Sequence, residues 1–318
     1  MKNILVTGGC GYTGTLLTRA LLEAGHKVTV FDTQWFGNHL KAHASLTVVK
    51  GNIRNLESIP LDGMDTVFHL ANIANDPAVD LEPTLSWEVN VLAAMQMADQ
   101  CVREGVKHFV FASSGSVYGL KSEDRVTEDL ELVPISVYNK TKMVAERVLL
   151  SYADKMQVHC VRPATVCGFS PRMRLDVAVN MLTFQALQNK RITVFGGDQT
   201  RPNIHILDLI DVYMHLLANP QIASGCYNAG FENISILEIA NRVTEIIPAE
   251  VIVSESNDPR SYRLDSSKLL ATGFKPKRSV GQAIREMIEL YQQGVLKDNE
   301  KSHTVKWMMK LIQTGDLV

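Results

Sequence analysis

Short apolar runs alternate with amphipathic stretches through the first half of the chain. Residues 4–7, 27–31, 46–50, 66–70, 108–112 and 158–161 read as buried strands, while 13–24, 84–103 and 138–152 carry a helical repeat of apolar positions. Strands that alternate with helices predict a parallel sheet covered on both faces, because parallel strands need crossover connections. The handedness of those crossovers favours a doubly wound arrangement, with ligands bound beyond the C-terminal ends of the strands.

After residue 168 the rhythm breaks. Residues 169–174 predict a loop, 177–187 an apolar helix, and 192–195 a short strand ahead of a Gly-Gly-Asp turn. The stretch 204–217 returns to the core; 235–247 predicts a helix with Ser235 as N-cap, and 265–270 a short one. The expected architecture is α/β: a Rossmann-type doubly wound parallel sheet with a smaller C-terminal α/β substrate-binding cap. Residues 1–168 form the nucleotide-binding domain, with 204–230 returning to it. Residues 169–203 and 231–280 form the cap, and 281–318 an amphipathic helical tail whose last residues are expected to be loosely held.

Composition narrows the function. The chain has 318 residues, 46% of them hydrophobic, and a formal charge of −2, so it carries no electrostatic footprint for nucleic acid or an anionic membrane. Cys10, Cys101, Cys160, Cys167 and Cys226 are scattered, with no Cys-x-x-Cys pair, which fits a reducing, cytoplasmic setting. Neither a signal peptide nor a bilayer-spanning run is expected. The nine histidines show no ligand spacing, so no metal is expected.

Thr7-Gly8-Gly9-Cys10-Gly11-Tyr12-Thr13-Gly14 follows the first strand and opens the first helix. Gly8 permits a tight turn, Gly11 lets backbone approach a pyrophosphate, and Gly14 lets the helix pack closely; the helix N-terminus offers unpaired N–H groups to phosphates. A glycine triplet alone also fits an ordinary loop. Here Asp32 ends the second strand, about 20 residues on, where a carboxylate can accept from both hydroxyls of an adenosine ribose. It would repel a 2′-phosphate, which favours NAD over NADP.

Tyr138 and Lys142 lie one turn apart on a helix face. A phenol with a pKa of about 10 is a poor base at neutral pH, and a nearby ammonium favours its ionised form. Lys142 can also hydrogen-bond the nicotinamide ribose. Ser113 and Ser114 sit at a strand end, from which a hydroxyl can reach a substrate, although a serine-rich turn reads the same way.

Together with His69-Leu70-Ala71, Val117-Tyr118-Gly119, Arg162-Pro163, Arg201-Pro202-Asn203-Ile204-His205 and Tyr262-Arg263-Leu264-Asp265, these motifs resemble the extended short-chain dehydrogenase/reductase family, the nucleotide-sugar epimerases, dehydratases, decarboxylases and reductases. The resemblance implies Ser114, Tyr138 and Lys142 as the catalytic triad. It implies Tyr12, Thr13, Asn52, Ile53, Leu70, Ala71 and Asn90 as cofactor residues beside the glycines and Asp32. Ser116, Asn180, Arg201 and Arg260 fall where relatives hold the substrate. Residues 170–176 resemble a stretch of bacterial surface-polysaccharide enzymes in the family, in which Arg172 and Arg174 would contact a diphosphate or sugar carboxylate; a basic surface loop is the alternative.

Two departures from the family pattern matter. Asn52 replaces the aspartate expected on the adenine amino group, and can accept through its amide oxygen. Ser114-Gly115-Ser116 replaces the Thr-Asp-Glu of 4,6-dehydratases, whose acid and base are thus missing. The implied activity is NAD-dependent 4-epimerisation of a nucleotide-diphosphate sugar through a 4-keto intermediate. A 4-dehydrogenase, a 4-keto-reductase and a non-catalytic NAD sensor are the alternatives. A homodimer is expected by analogy; Ala93, Ala94, Met97 and Ala98 suit either its helix packing or an internal core.

Overall fold

The computed structural model describes residues 1–255 and 261–317. The chain begins β1 (Asn3–Thr7), α1 (Tyr12–Glu23), β2 (Lys27–Asp32), β3 (Leu46–Lys50), β4 (Thr66–His69). It continues α2 (Asp76–Val79), α3 (Pro83–Trp87), α4 (Ala93–Arg103), β5 (His108–Ala112), α5 (Val137–Leu150), β6 (Gln157–Pro163). Then come β7 (Thr165–Cys167), α6 (Ala178–Asn189), β8 (Arg191–Phe195), β9 (Thr200–His205), α7 (Ile206–Ala218), β10 (Gly225–Ala229). Last are β11 (Glu232–Ser235), α8 (Ile236–Thr244), β12 (Glu250–Ser254), α9 (Ser267–Ala271), α10 (Val280–Gln292) and α11 (Thr304–Thr314).

Seven strands form one parallel sheet in the order β10-β6-β5-β4-β1-β2-β3. Alternate residues serve opposite faces. Ile4, Val6, Val30 and Phe68 meet Leu17 of α1 and Leu209 and Val212 of α7, while Leu5, Val67 and Phe109 meet Met97 of α4 and Leu149 of α5. Burial on both sides explains why the central strands read as unbroken apolar runs. The strand order reverses beside β1, which opens a crevice at the C-terminal ends of β1 and β4.

The single helix predicted over 84–103 is corrected to three pieces: α3, a π-helical turn at Glu88–Leu92, and α4. Asn90 sits in the wide turn and explains it. Its amide bonds the backbone N–H and carbonyl of Ile73 (2.9 and 3.1 Å) and Thr141 Oγ1 (3.2 Å), which draws the helix out of regular register. Ala93, Ala94, Met97 and Ala98 are buried within the chain's own core. The large apolar side chains exposed along these helices are Trp87, Leu92 and Met95.

The smaller unit joins a three-stranded sheet, β11-β9-β7, to a parallel pair, β12-β8. Its core takes Leu182 and Ala186 from α6, Ile239 and Val243 from α8, and Ala283 and Ile284 from α10. Ser235 caps α8 as predicted, accepting from the Glu238 N–H at 3.1 Å. The terminal stretch, expected to be loosely held, is instead packed: α11 puts Met308 and Leu311 into the large-domain core, and Trp307 Nε1 donates to the Trp35 carbonyl at 2.7 Å. Among the described residues no helix is long and apolar enough to cross a membrane.

Candidate active site

The loop between β1 and α1 is shaped by what its glycines exclude. Gly8 has φ +73°, and a Cβ there would lie 2.6 Å from the Ala71 nitrogen; one on Gly14 would lie 2.2 Å from the Gly8 carbonyl. Gly11 is the N-cap of α1 and supplies no side-chain acceptor, whereas Ser136 caps α5 by accepting from the Asn139 N–H at 3.1 Å. The first-turn N–H groups of α1 are thus left for an anion. Asp32 is set at the end of β2 by the Cys10 and Gln34 N–H groups (3.0 and 2.6 Å), and burial raises its pKa.

A cavity of about 750 Å³ runs from this loop to Tyr138. Gly8, Gly11, Tyr12, Thr13, Gly14, Asp32, Asn52, Ile53, Leu70 and Ala71 all line it. An uncapped helix start, a loop closed to side chains and a carboxylate at the end of β2 are a combination of donors and acceptor that fits a dinucleotide. Asn52 differs in detail from expectation: its amide oxygen accepts from the Arg54 backbone N–H at 3.0 Å and from Arg54 Nε at 3.4 Å. Asn90 does not line the cavity and acts through Ile73, which does.

At the other end, α5 brings Tyr138 and Lys142 against the end of β5. The Lys142 Nζ donates to the Ala112 carbonyl at 2.6 Å and lies 5.8 Å from the Tyr138 ring centre. Burial pushes the Lys142 ammonium down to about 7, opposed by Glu146 one turn on. Burial also raises the Tyr138 phenol to about 12, and a hydrogen bond with Ser114 pulls the other way. Ser114 Oγ is 2.8 Å from Ser116 Oγ, which accepts from Asn139 Nδ2 at 2.8 Å. Asn139 and Ser136 both reach the Asp76 carboxylate. The result is a chain of hydroxyls and amides leading from the phenol to the start of α2.

Behind this chain lies a second network. Glu146 pairs twice with Arg162 (2.9 and 2.7 Å) and accepts from Ser113, while Arg162 donates to the Tyr118 hydroxyl at 2.7 Å. It ties α5 to the ends of β5 and β6 and so holds Tyr138 and Lys142 against the strand ends.

Of the expected substrate residues, Ser116, Arg172, Arg174 and Arg201 line the cavity. Asn180 does not. It is fully buried, with its amide on the Gly168 N–H (2.9 Å), the Tyr12 hydroxyl (3.0 Å) and the Arg174 carbonyl (2.9 Å), so it braces the loop that carries the arginines. Arg260 lies outside the described residues. Sequence reasoning missed Trp35, Phe36, Asn72, Asp76, Thr304 and Met308, all on the cavity wall. The pair Trp35-Phe36, apolar immediately after Asp32, and the amphipathic repeat of α11 were the available signals.

The model of the NAD dependent epimerase/dehydratase family matches residues 4–230. The chain is 30% identical over 305 residues to UDP-glucose 4-epimerase of Halalkalibacterium halodurans, covering 86% of this chain and 90% of that one. It is 28% identical over 309 residues to UDP-glucuronic acid decarboxylase 1 of Danio rerio, covering 91% and 72%. The solved UDP-glucuronic acid 4-epimerase of Bacillus cereus, in complex with UDP-glucuronic acid and NAD, superposes with a TM-score of 0.79 at 27% identity, covering 92% of this chain and 99% of that one. The chain therefore belongs to the NAD dependent epimerase/dehydratase family and is an NAD-dependent enzyme of the extended short-chain dehydrogenase/reductase type.

Proposed function

We propose that this enzyme is a nucleotide-sugar 4-epimerase, with Tyr138 as its acid/base. The observation that carries the reading is the hydroxyl chain at the end of β5: Ser114 and Ser116 stand where elimination would need a carboxylate, 2.8 Å apart and held by Asn139. Tyr138 takes the proton of the sugar 4-hydroxyl, and Ser114 hydrogen-bonds the same oxygen. Lys142, its Nζ 5.8 Å from the Tyr138 ring centre, favours the ionised phenol electrostatically when charged. NAD held by the glycine loop and Asp32 would supply a reversible hydride acceptor, so that the overall reaction is redox-neutral. With the 4-keto sugar turned over in the cavity, hydride would return to the opposite face of C4 while Tyr138 gives the proton back to O4. Arg174 and Arg201, which line the cavity, would meet the charged parts of the sugar nucleotide. The exposed Trp87, Leu92 and Met95 along α3 and α4 support a homodimer.

The test is product analysis of UDP-glucose, UDP-galactose and UDP-glucuronic acid incubated with the NAD-loaded enzyme. Epimerisation gives a product of unchanged mass with an inverted C4 in its NMR spectrum. Loss of water or of carbon dioxide would replace the proposal with a dehydratase or a decarboxylase. Tyr138→Phe should lower turnover by about 10²–10⁴-fold with NAD content unchanged, and retained turnover would remove Tyr138 from the chemistry.

A further inference from the structure

Arg172 is only 4% exposed, yet it lines the cavity. Its guanidinium carbon lies 3.9 Å from the centre of the Phe36 ring, and one NH2 group donates to Thr304 Oγ1 at 3.4 Å. Nε is buried without a partner. The nearby carboxylate of Asp176 is taken by Arg174 at 2.9 Å, which leaves Arg172 without an ion pair among the described residues. Buried charges are normally paired, and a guanidinium packed over an aromatic ring with its Nε unspent is arranged for an oxyanion.

Position selects the anion. Phe36 lies four residues past Asp32, the carboxylate at the end of β2, and Thr304 begins α11 on the same side of the cavity. The charge of Arg172 is felt at Asp32 and that of Arg174 at Tyr138, while Tyr12, the first residue of α1, feels both. Two arginines two residues apart on one loop thus have different surroundings: Arg172 lies on Phe36 and Thr304, and Arg174 on Asp176. Burial and the neighbouring Arg174 push the Arg172 guanidinium down to about 9, as expected for a cation whose counter-charge arrives with a ligand.

We propose that Arg172 binds the diphosphate of the cofactor, sharing it with the N-terminus of α1, and that Phe36 and the C-terminal helix hold it in place. This assignment departs from the expectation that both arginines serve the sugar nucleotide. It goes beyond the epimerase reading and does not depend on which reaction follows, because it requires only that NAD be bound.

The experiment compares wild type, Arg172→Gln and Arg172→Lys by NAD content after purification and by calorimetric titration with NAD⁺, ADP, adenosine and UDP. Arg172→Gln should weaken NAD⁺ and ADP by about 10- to 100-fold, the scale of a lost charge-assisted phosphate contact. Adenosine and UDP should change by less than about twofold, since neither probe uses that contact. Arg172→Lys, which keeps the charge without the planar fork, should fall between the two and guards against a glutamine variant that fails to fold. Unchanged NAD⁺ and ADP affinity would overturn the proposal. So would a loss confined to UDP, which would return Arg172 to the substrate.

Discussion

The two ends of the cavity solve the problem of buried polarity in opposite ways. Around Tyr138 the protein satisfies its own groups: Lys142 on the Ala112 carbonyl, Ser114 on Ser116, Ser116 on Asn139, and Glu146 on Arg162. Around Asp32 and α1 it leaves them open: an uncapped helix start, Arg172 Nε, and both amide atoms of Asn72. A catalytic group must be held in one geometry before substrate arrives, so its partners belong to the fold. A site for a tightly held cofactor can leave donors and acceptors that the ligand completes, at a cost in stability to the empty protein.

That contrast makes opposite predictions for removing buried polar groups at the two ends. Arg162→Met strands Glu146 in the core and should destabilise the cofactor-free protein by about 3–5 kcal/mol in chemical denaturation; a change within experimental error would mean the network is dispensable. Lys142→Met probes the buried lysine at the Tyr138 end. Because Lys142 titrates at about 7 when folded, down from 10.5, the folded state sheds a proton that the unfolded chain keeps. Wild-type stability should therefore rise with pH between those values, with the penalty fully present below about 7. The methionine variant should gain stability relative to wild type at pH 6 and lose that advantage progressively toward pH 10.5, where loss of the Ala112 bond leaves it the less stable of the two. A gain independent of pH would refute the charged-lysine account. The smallest change is expected at the open end: Asn72→Ala should leave the empty protein unchanged or more stable by about 1 kcal/mol, while lowering NAD affinity in the same titration. Destabilisation of the empty protein would erase the contrast.

Much of the large domain was legible because its signals are local. Central strands such as β4 and β5 are buried on both faces and show it as continuous apolar runs. Tyr138 and Lys142 share a helix, so their proximity follows from helical pitch alone. The break at Glu88–Leu92 was not legible, because it depends on Asn90 finding Ile73 and Thr141, the latter 51 residues away in sequence. Asn180 shows the same limit: its position suggested a ligand contact, and only the meeting of Tyr12, Gly168 and Arg174 makes it a brace.

The sequence by itself determined the parallel sheet, the phosphate-ready loop with its acid, and the tyrosine–lysine face, because each rests on periodicity or on spacings within one or two turns. Only the tertiary structure decided what surrounds each arginine of the loop. Arg172 meets Phe36 from far upstream and Thr304 from 132 residues downstream, and those contacts exist once the chain has closed around the cavity. Whether a buried charge is paired is a property of that closure, since a partner's distance in space leaves no periodic mark on the chain.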